Sequence, residues 1–131
     1  NIECDAIDSD GPSVFLTSQC IPPASGDTYG YGADAQRVSG GTGNLSCQIA
    51  LADHADLTCS SNINSGNTSW PPGTGIYTQS SSASFGADLT FTQSIRVSIS
   101  CTDTADFVVR IDDVFVGIGL VPVELQEFSV E

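Results

Sequence analysis

Between Ser94 and Cys101 the chain reads SIRVSISC, and the alternation in those eight residues decides the fold. Ile95, Val97, Ile99 and Cys101 share one face, and Arg96, Ser98 and Ser100 share the other. A side-chain period of two with a single apolar face describes a strand buried on one side only, the pattern of antiparallel sheets. The same alternation recurs in NLSCQIAL, where Leu45, Cys47, Ile49 and Leu51 align, and in DFVVRI, where Phe107, Val109 and Ile111 align. No stretch repeats apolar residues at helical spacing, and Gly, Ser, Thr, Asn and Asp punctuate the chain throughout.

Ten strands are expected, near Ile2–Ile7, Ser13–Ser18, Ala35–Ser39, Asn44–Leu51, Ala55–Ser60, Gly75–Thr78, Ser84–Phe91, Ser94–Cys101, Asp106–Val116 and Val121–Val130. So many short strands in 131 residues imply an all-β fold, a two-sheet antiparallel sandwich of jelly-roll type. The sandwich is expected over 1–117, with 118–131 as a C-terminal tail strand beyond it. The segments TYGYG, SGGTG and Ser60–Gly75 read as loops.

Sixteen acidic residues face three arginines and no lysine, for a net charge of −13. Nucleic-acid binding rests on cations that neutralise phosphates, so that class is excluded as a partner. No apolar run reaches the length of a membrane span, which argues against membrane insertion. The chain opens at Asn1 in a strand-like segment, so a removed signal peptide and a secreted, extracellular or cell-surface location are expected.

The five cysteines form no C-x-x-C pair, so disulfides are a better reading than zinc. Folding LSCQIALADHADLTC about Asp53 sets Leu51 against Ala55, Ile49 against Leu57 and Cys47 against Cys59. A Cys47–Cys59 bridge is therefore expected, with Cys4–Cys20 closing the other short loop. The alternative is that Cys101, on an inward face, takes one of them. An odd cysteine is left free or pairs with another chain.

His54, the single histidine, falls at that expected turn. No G-x-S-x-G elbow is present, and no carboxylate pair stands out, so an enzyme is not expected. Two acidic clusters suit calcium, which takes six to eight hard oxygens: Glu3, Asp5, Asp8 and Asp10 near the start, Asp112 and Asp113 near the end. Tyr29, Tyr31 and Trp70, in apparent loops, are the rings available to stack on a sugar.

The segment IRVSISCTDTADFVVRIDDVFVG, Ile95–Gly117, resembles the closing strands of jelly-roll carbohydrate-binding modules and related secreted bacterial β-sandwich domains, with Asp112-Asp113-Val114 as the Asp-Asp-Val signature. That resemblance implies a structural Ca²⁺ held by Glu3, Asp112 and Asp113, and polysaccharide as a partner. The final PVELQEFSVE is similar to the Pro-Val-Glu-Leu segment of exported surface proteins.

Two functions follow. The first is a structural subunit of an extracellular filament that self-associates into a polymer. Its tail, through Val121, Val123, Leu125, Phe128 and Val130, would add a strand to the neighbouring copy. The alternative is a carbohydrate-binding module with structural calcium. The residues favour the first, on the strength of the extra terminal strand and the odd cysteine.

Overall fold

The computed structural model describes residues 4–8, 13–21, 28–80, 83–86, 92–118, 121–124 and 128–130. For 4–8, 14, 28–29, 83–86, 117–118, 121–124 and 128–130 it describes the backbone alone. Twelve strands run in chain order: β1 Cys4–Asp8, β2 Ser13–Ser18, β3 Thr28–Gly40, β4 Ser46–His54, β5 Asn62–Trp70, β6 Gly73–Thr74, β7 Thr78–Gln79, β8 Ala83–Gly86, β9 Ser94–Thr102, β10 Phe107–Ile118, β11 Val121–Glu124 and β12 Phe128–Val130. They form two sheets. One is five-stranded, in the order β12-β2-β9-β4-β5. The other is seven-stranded, in the order β1-β10-β3-β6, with β11 beside β10 and with β7 and β8 beside β3. All pairings are antiparallel except the short β3–β6 contact. The fold is the expected jelly-roll-like sandwich, stapled by two disulfides.

The alternation read from the sequence is the core. Leu16, Ile49, Leu51, Val97 and Ile99 of the five-stranded sheet meet Tyr31, Phe107, Val109, Ile111 and Val116 of the other, all fully buried. Each such side chain contributes roughly 1.5–3 kcal/mol on burial.

The hairpin expected at Asp53 does not form. β4 continues through Asp53 to His54 and pairs with β5, which sets Cys47 against Trp70 and Leu51 against Gly66. Leu57, expected inward against Ile49, is 69% exposed. Asp56 explains the difference. Its carboxylate accepts hydrogen bonds from the Thr58 hydroxyl at 2.8 Å, the Ser60 N–H at 3.0 Å and the Ser61 N–H at 3.2 Å, so residues 55–61 close into a side-chain-organised turn rather than a strand.

The cysteine pairing changes with it. Cys47 faces Cys101 on the adjacent strand β9, and the two are bridged with a Cα–Cα distance of 4.0 Å. Cys59, in the turn, is bridged to Cys20. The expected Cys47–Cys59 and Cys4–Cys20 bonds are both replaced, because β5 rather than residues 55–60 lies beside β4. Cys4 is the cysteine left over; its backbone pairs with Ile111.

Two segments read as loops are strands. TYGYG begins β3, where Gly32 pairs with Phe115. A Cβ on Gly32 would lie 2.7 Å from the Phe115 ring, so the glycine is what lets that ring lie across β3. NINSGNTSW is β5, an edge strand exposed along most of its length.

The tail also differs from expectation. Val121–Glu124 pairs with Phe115–Ile118 of β10, and Phe128–Val130 pairs with Leu16–Ser18 of β2. Val121, Val123, Phe128 and Val130 thus belong to strands of the chain's own two sheets, and Leu125 lies outside the described residues. Each sheet had a vacant edge, and a strand that closes it within the chain loses no association entropy. Deleting 120–131 is expected to lower the unfolding midpoint and expose both sheet edges, rather than leave a stable monomer. Thermal unfolding monitored by circular dichroism checks this, and an unchanged midpoint would contradict it.

Candidate functional site

The outer face of the five-stranded sheet follows from the same alternation that builds the core. With Leu16, Ile49 and Ile99 inward, register places Phe15, Ser100, Gln48 and Ser69 in one row across β2, β9, β4 and β5. Three inter-strand spacings make that row about 14 Å wide. The next row is Thr17, Ser98, Ala50 and Asn67, and the next contains Arg96, Ala52 and Ser65. Phe15 is 38% exposed, so its ring is the large apolar group in rows otherwise made of hydroxyls, amides, two alanines and Arg96. No described residue in these rows is acidic, in a chain with sixteen acids.

Such a face suits a neutral, hydroxyl-rich ligand. An aromatic ring packs on an apolar face, and a few polar groups fix orientation. The sequence held a sign of it. Val14-Phe15-Leu16 puts three apolar residues in succession on a strand, and a period of two sends the middle one to the opposite face.

The rings expected to contact sugar are elsewhere. Tyr31 is 1% exposed and Trp70 5% exposed, both in the core. The Trp70 indole N–H donates to the Thr78 carbonyl at 3.0 Å, which satisfies its one polar atom. Tyr31 faces inward because β3 extends through TYGYG. Neither ring offers a face to solvent, and the Tyr29 side chain lies outside the described residues.

At the far sheet, Asp34 of β3 pairs with Asp112 of β10. The register shifts between Asp112 and Phe115, and Asp113 takes a positive φ of 49°, so this is a β-bulge in the Asp-Asp-Val segment. The Asp113 N–H donates to Asp112 Oδ1 at 2.7 Å. Burial pushes the Asp34 carboxyl above the ordinary carboxylate range; the charge of Asp113, a shared hydrogen bond with it and the charge of Asp112 push it further. Asp34 Oδ1 is buried without a hydrogen-bond partner.

Asp8 pairs with Val108, four residues down β10 from Asp112 or about 13 Å at strand rise, so those two are not brought together. Glu3 and Asp10 lie outside the described residues. Among the described residues, no group of three acidic, histidine or cysteine side chains is arranged to hold a metal ion.

His54 and Asp53 project to opposite faces at the end of β4. Asp53 is fully buried and accepts from the Asn64 N–H at 2.9 Å and the Thr92 hydroxyl at 2.8 Å. The Ser94 hydroxyl, opposite His54 on β9, donates to the Asp56 carbonyl. The Ser94 contact ties β9 to the 55–61 turn.

No protein-family model matches this chain, and no curated protein matches it. Among solved structures it is similar to TmCBM61, a carbohydrate-binding module determined in complex with β-1,4-galactotriose. The TM-score is 0.56 at 16% identity, over 87% of this chain and 69% of that one. At that identity the likeness is one of fold: an all-β sandwich of the kind found in a carbohydrate-binding module. A cowpea mosaic virus empty particle covers 95% of this chain and 91% of its own at 9% identity, but with a TM-score of 0.35, too low to support any argument.

Proposed function

We propose that this domain is a non-catalytic carbohydrate-binding module that takes a polysaccharide on the outer face of its five-stranded sheet. The observation that carries the reading is Phe15, an exposed ring in a row with Ser100, Gln48 and Ser69 on a surface without described carboxylates. The fold likeness to a galactotriose-binding module supports the class. The two disulfides support a secreted, extracellular setting, where oxidising conditions keep them closed. β-1,4-Galactotriose and a broad polysaccharide array test the proposal. Retention of the wild-type protein on at least one glycan is the expected result, and failure to bind any would overturn it.

The reading extends to a structural Ca²⁺ at the Asp112–Asp113 bulge, with Glu3 as the further ligand that the sequence resemblance implies. Asp34, beside that bulge, gives a sharp test. Its folded-state carboxyl binds a proton more readily than the unfolded one. Stability linked to Asp34 is therefore complete below the ordinary carboxylate range and is lost as pH rises through the raised folded value. In EDTA at neutral pH, Asp34→Asn is expected to raise the unfolding midpoint, with the gain vanishing in acid. Adding Ca²⁺ is expected to raise the wild-type midpoint by mass action. A wild-type midpoint indifferent to both Ca²⁺ and EDTA would remove calcium from the account.

A further inference from the structure

Among the described residues three side-chain polar atoms are buried without a hydrogen bond: Asp34 Oδ1, His54 Nδ1 and Arg96 Nε. The first belongs to the carboxylate cluster at the bulge. The other two are nitrogens on one face of one sheet. Ala52 pairs with Arg96 and His54 with Ser94 in an unbroken β4–β9 register. Arg96 and His54 are therefore diagonal cross-strand neighbours, a spacing that long and aromatic side chains span.

The acids adjacent in sequence to His54 do not answer this charge. Asp53 points into the sandwich and is bonded to Asn64 and Thr92. The Asp56 carboxylate is taken up by Thr58, Ser60 and Ser61 of its own turn. The residues ranged around Arg96 on this face are Ala52, Ala50 and Ser98. A half-buried guanidinium whose Nε has no hydrogen-bond partner is costly.

We propose that Arg96, with His54 beside it, binds the carboxylate of a uronic acid residue in an otherwise neutral glycan. The inference rests on the glycan reading of this face and specifies its ligand. A guanidinium presents a planar fork that matches a carboxylate, and Arg96 is half-buried, so part of its side chain reaches the solvent on this face. Arg96 lies four residues along β9 from Ser100 in the Phe15 row, about 13 Å at strand rise, so one oligosaccharide can lie on both. A densely charged polyuronate does not fit, because a net charge of −13 repels it beyond the local face.

The test is an NMR titration of ¹⁵N-labelled protein with sodium galacturonate, galactose and sodium sulfate in turn. Galacturonate is expected to move the Arg96 Nε–H and His54 ring resonances, while galactose leaves them unmoved. Arg96→Met is expected to keep the fold and weaken galacturonate binding by about tenfold or more, with Arg96→Lys intermediate. An unmoved Arg96 resonance, or full affinity in Arg96→Met, would overturn the proposal. An equal response to sulfate would overturn the uronate assignment in favour of a general anion site. Failure of the glycan reading itself shows separately, as wild-type protein that binds nothing on the polysaccharide array.

Discussion

Replacing Cys47 and Cys101 together with alanine is expected to lower the free energy of unfolding by about 4 kcal/mol, the chain-entropy value for a loop of this length. The bridge spans 54 residues and joins the adjacent interior strands β4 and β9 of the five-stranded sheet, with both cysteines fully buried. The open chain regains the freedom of the whole segment that carries β5, β6, β7 and β8. Domains of this size are stable by only about 5–15 kcal/mol, so the variant is expected to lose a large share of its stability. Urea unfolding of wild type and variant measures the difference, and coincident midpoints would contradict the assignment. The Cys20–Cys59 pair, spanning 39 residues, is expected to contribute about as much, since the cost grows only with the logarithm of loop length. Cys20 is only half-buried, so mild reductant is expected to open that bridge first.

The second large effect concerns binding. Phe15→Ala is expected to weaken binding to whichever polysaccharide the array identifies by about 2 kcal/mol, roughly thirtyfold, as truncation of a central aromatic contact does. Phe15 faces away from the core, so the same change is expected to leave the urea midpoint nearly unaltered. Trp70→Ala gives the opposite pattern. Its ring is buried and its N–H is bonded to Thr78, so its loss is expected to cost about 3–5 kcal/mol of stability. A Phe15→Ala variant that binds at wild-type affinity would contradict the assignment of this face.

Half-buried strands announced themselves in the sequence, and fully polar ones did not. SIRVSISC, SCQIAL and FVVRI alternate because one side meets the core, and each is a strand where expected. β5 pairs with β4 along one edge and has little core to face, so NINSGNTSW carries no alternation and reads as a loop. β3 was half legible, since the glycines that make room for Phe115 also resemble loop punctuation. With NINSGNTSW read as a loop, β4 has no partner but the residues after Asp53, and the resulting hairpin sets Cys47 against Cys59 instead of Cys101. The clue against it was local: Asp56 followed by Thr58, Ser60 and Ser61 is turn chemistry.

The site was less legible than the fold. Aromatic residues in apparent loops looked like sugar platforms, but Tyr31 and Trp70 fall on strand positions that face inward. Phe15 was hidden inside an apolar run that looked wholly like core. Which of three successive apolar residues faces out depends on which neighbours its strand acquires, and that pairing is non-local.

The most direct measurement is the position of a bound oligosaccharide, by crystallography or by chemical-shift mapping with the array's best ligand. The account predicts contacts on the outer face of the five-stranded sheet, centred on Phe15 and Gln48 and extending along β9 toward Arg96. A ligand found on the seven-stranded sheet, or at the loops between residues 71 and 80, would contradict it.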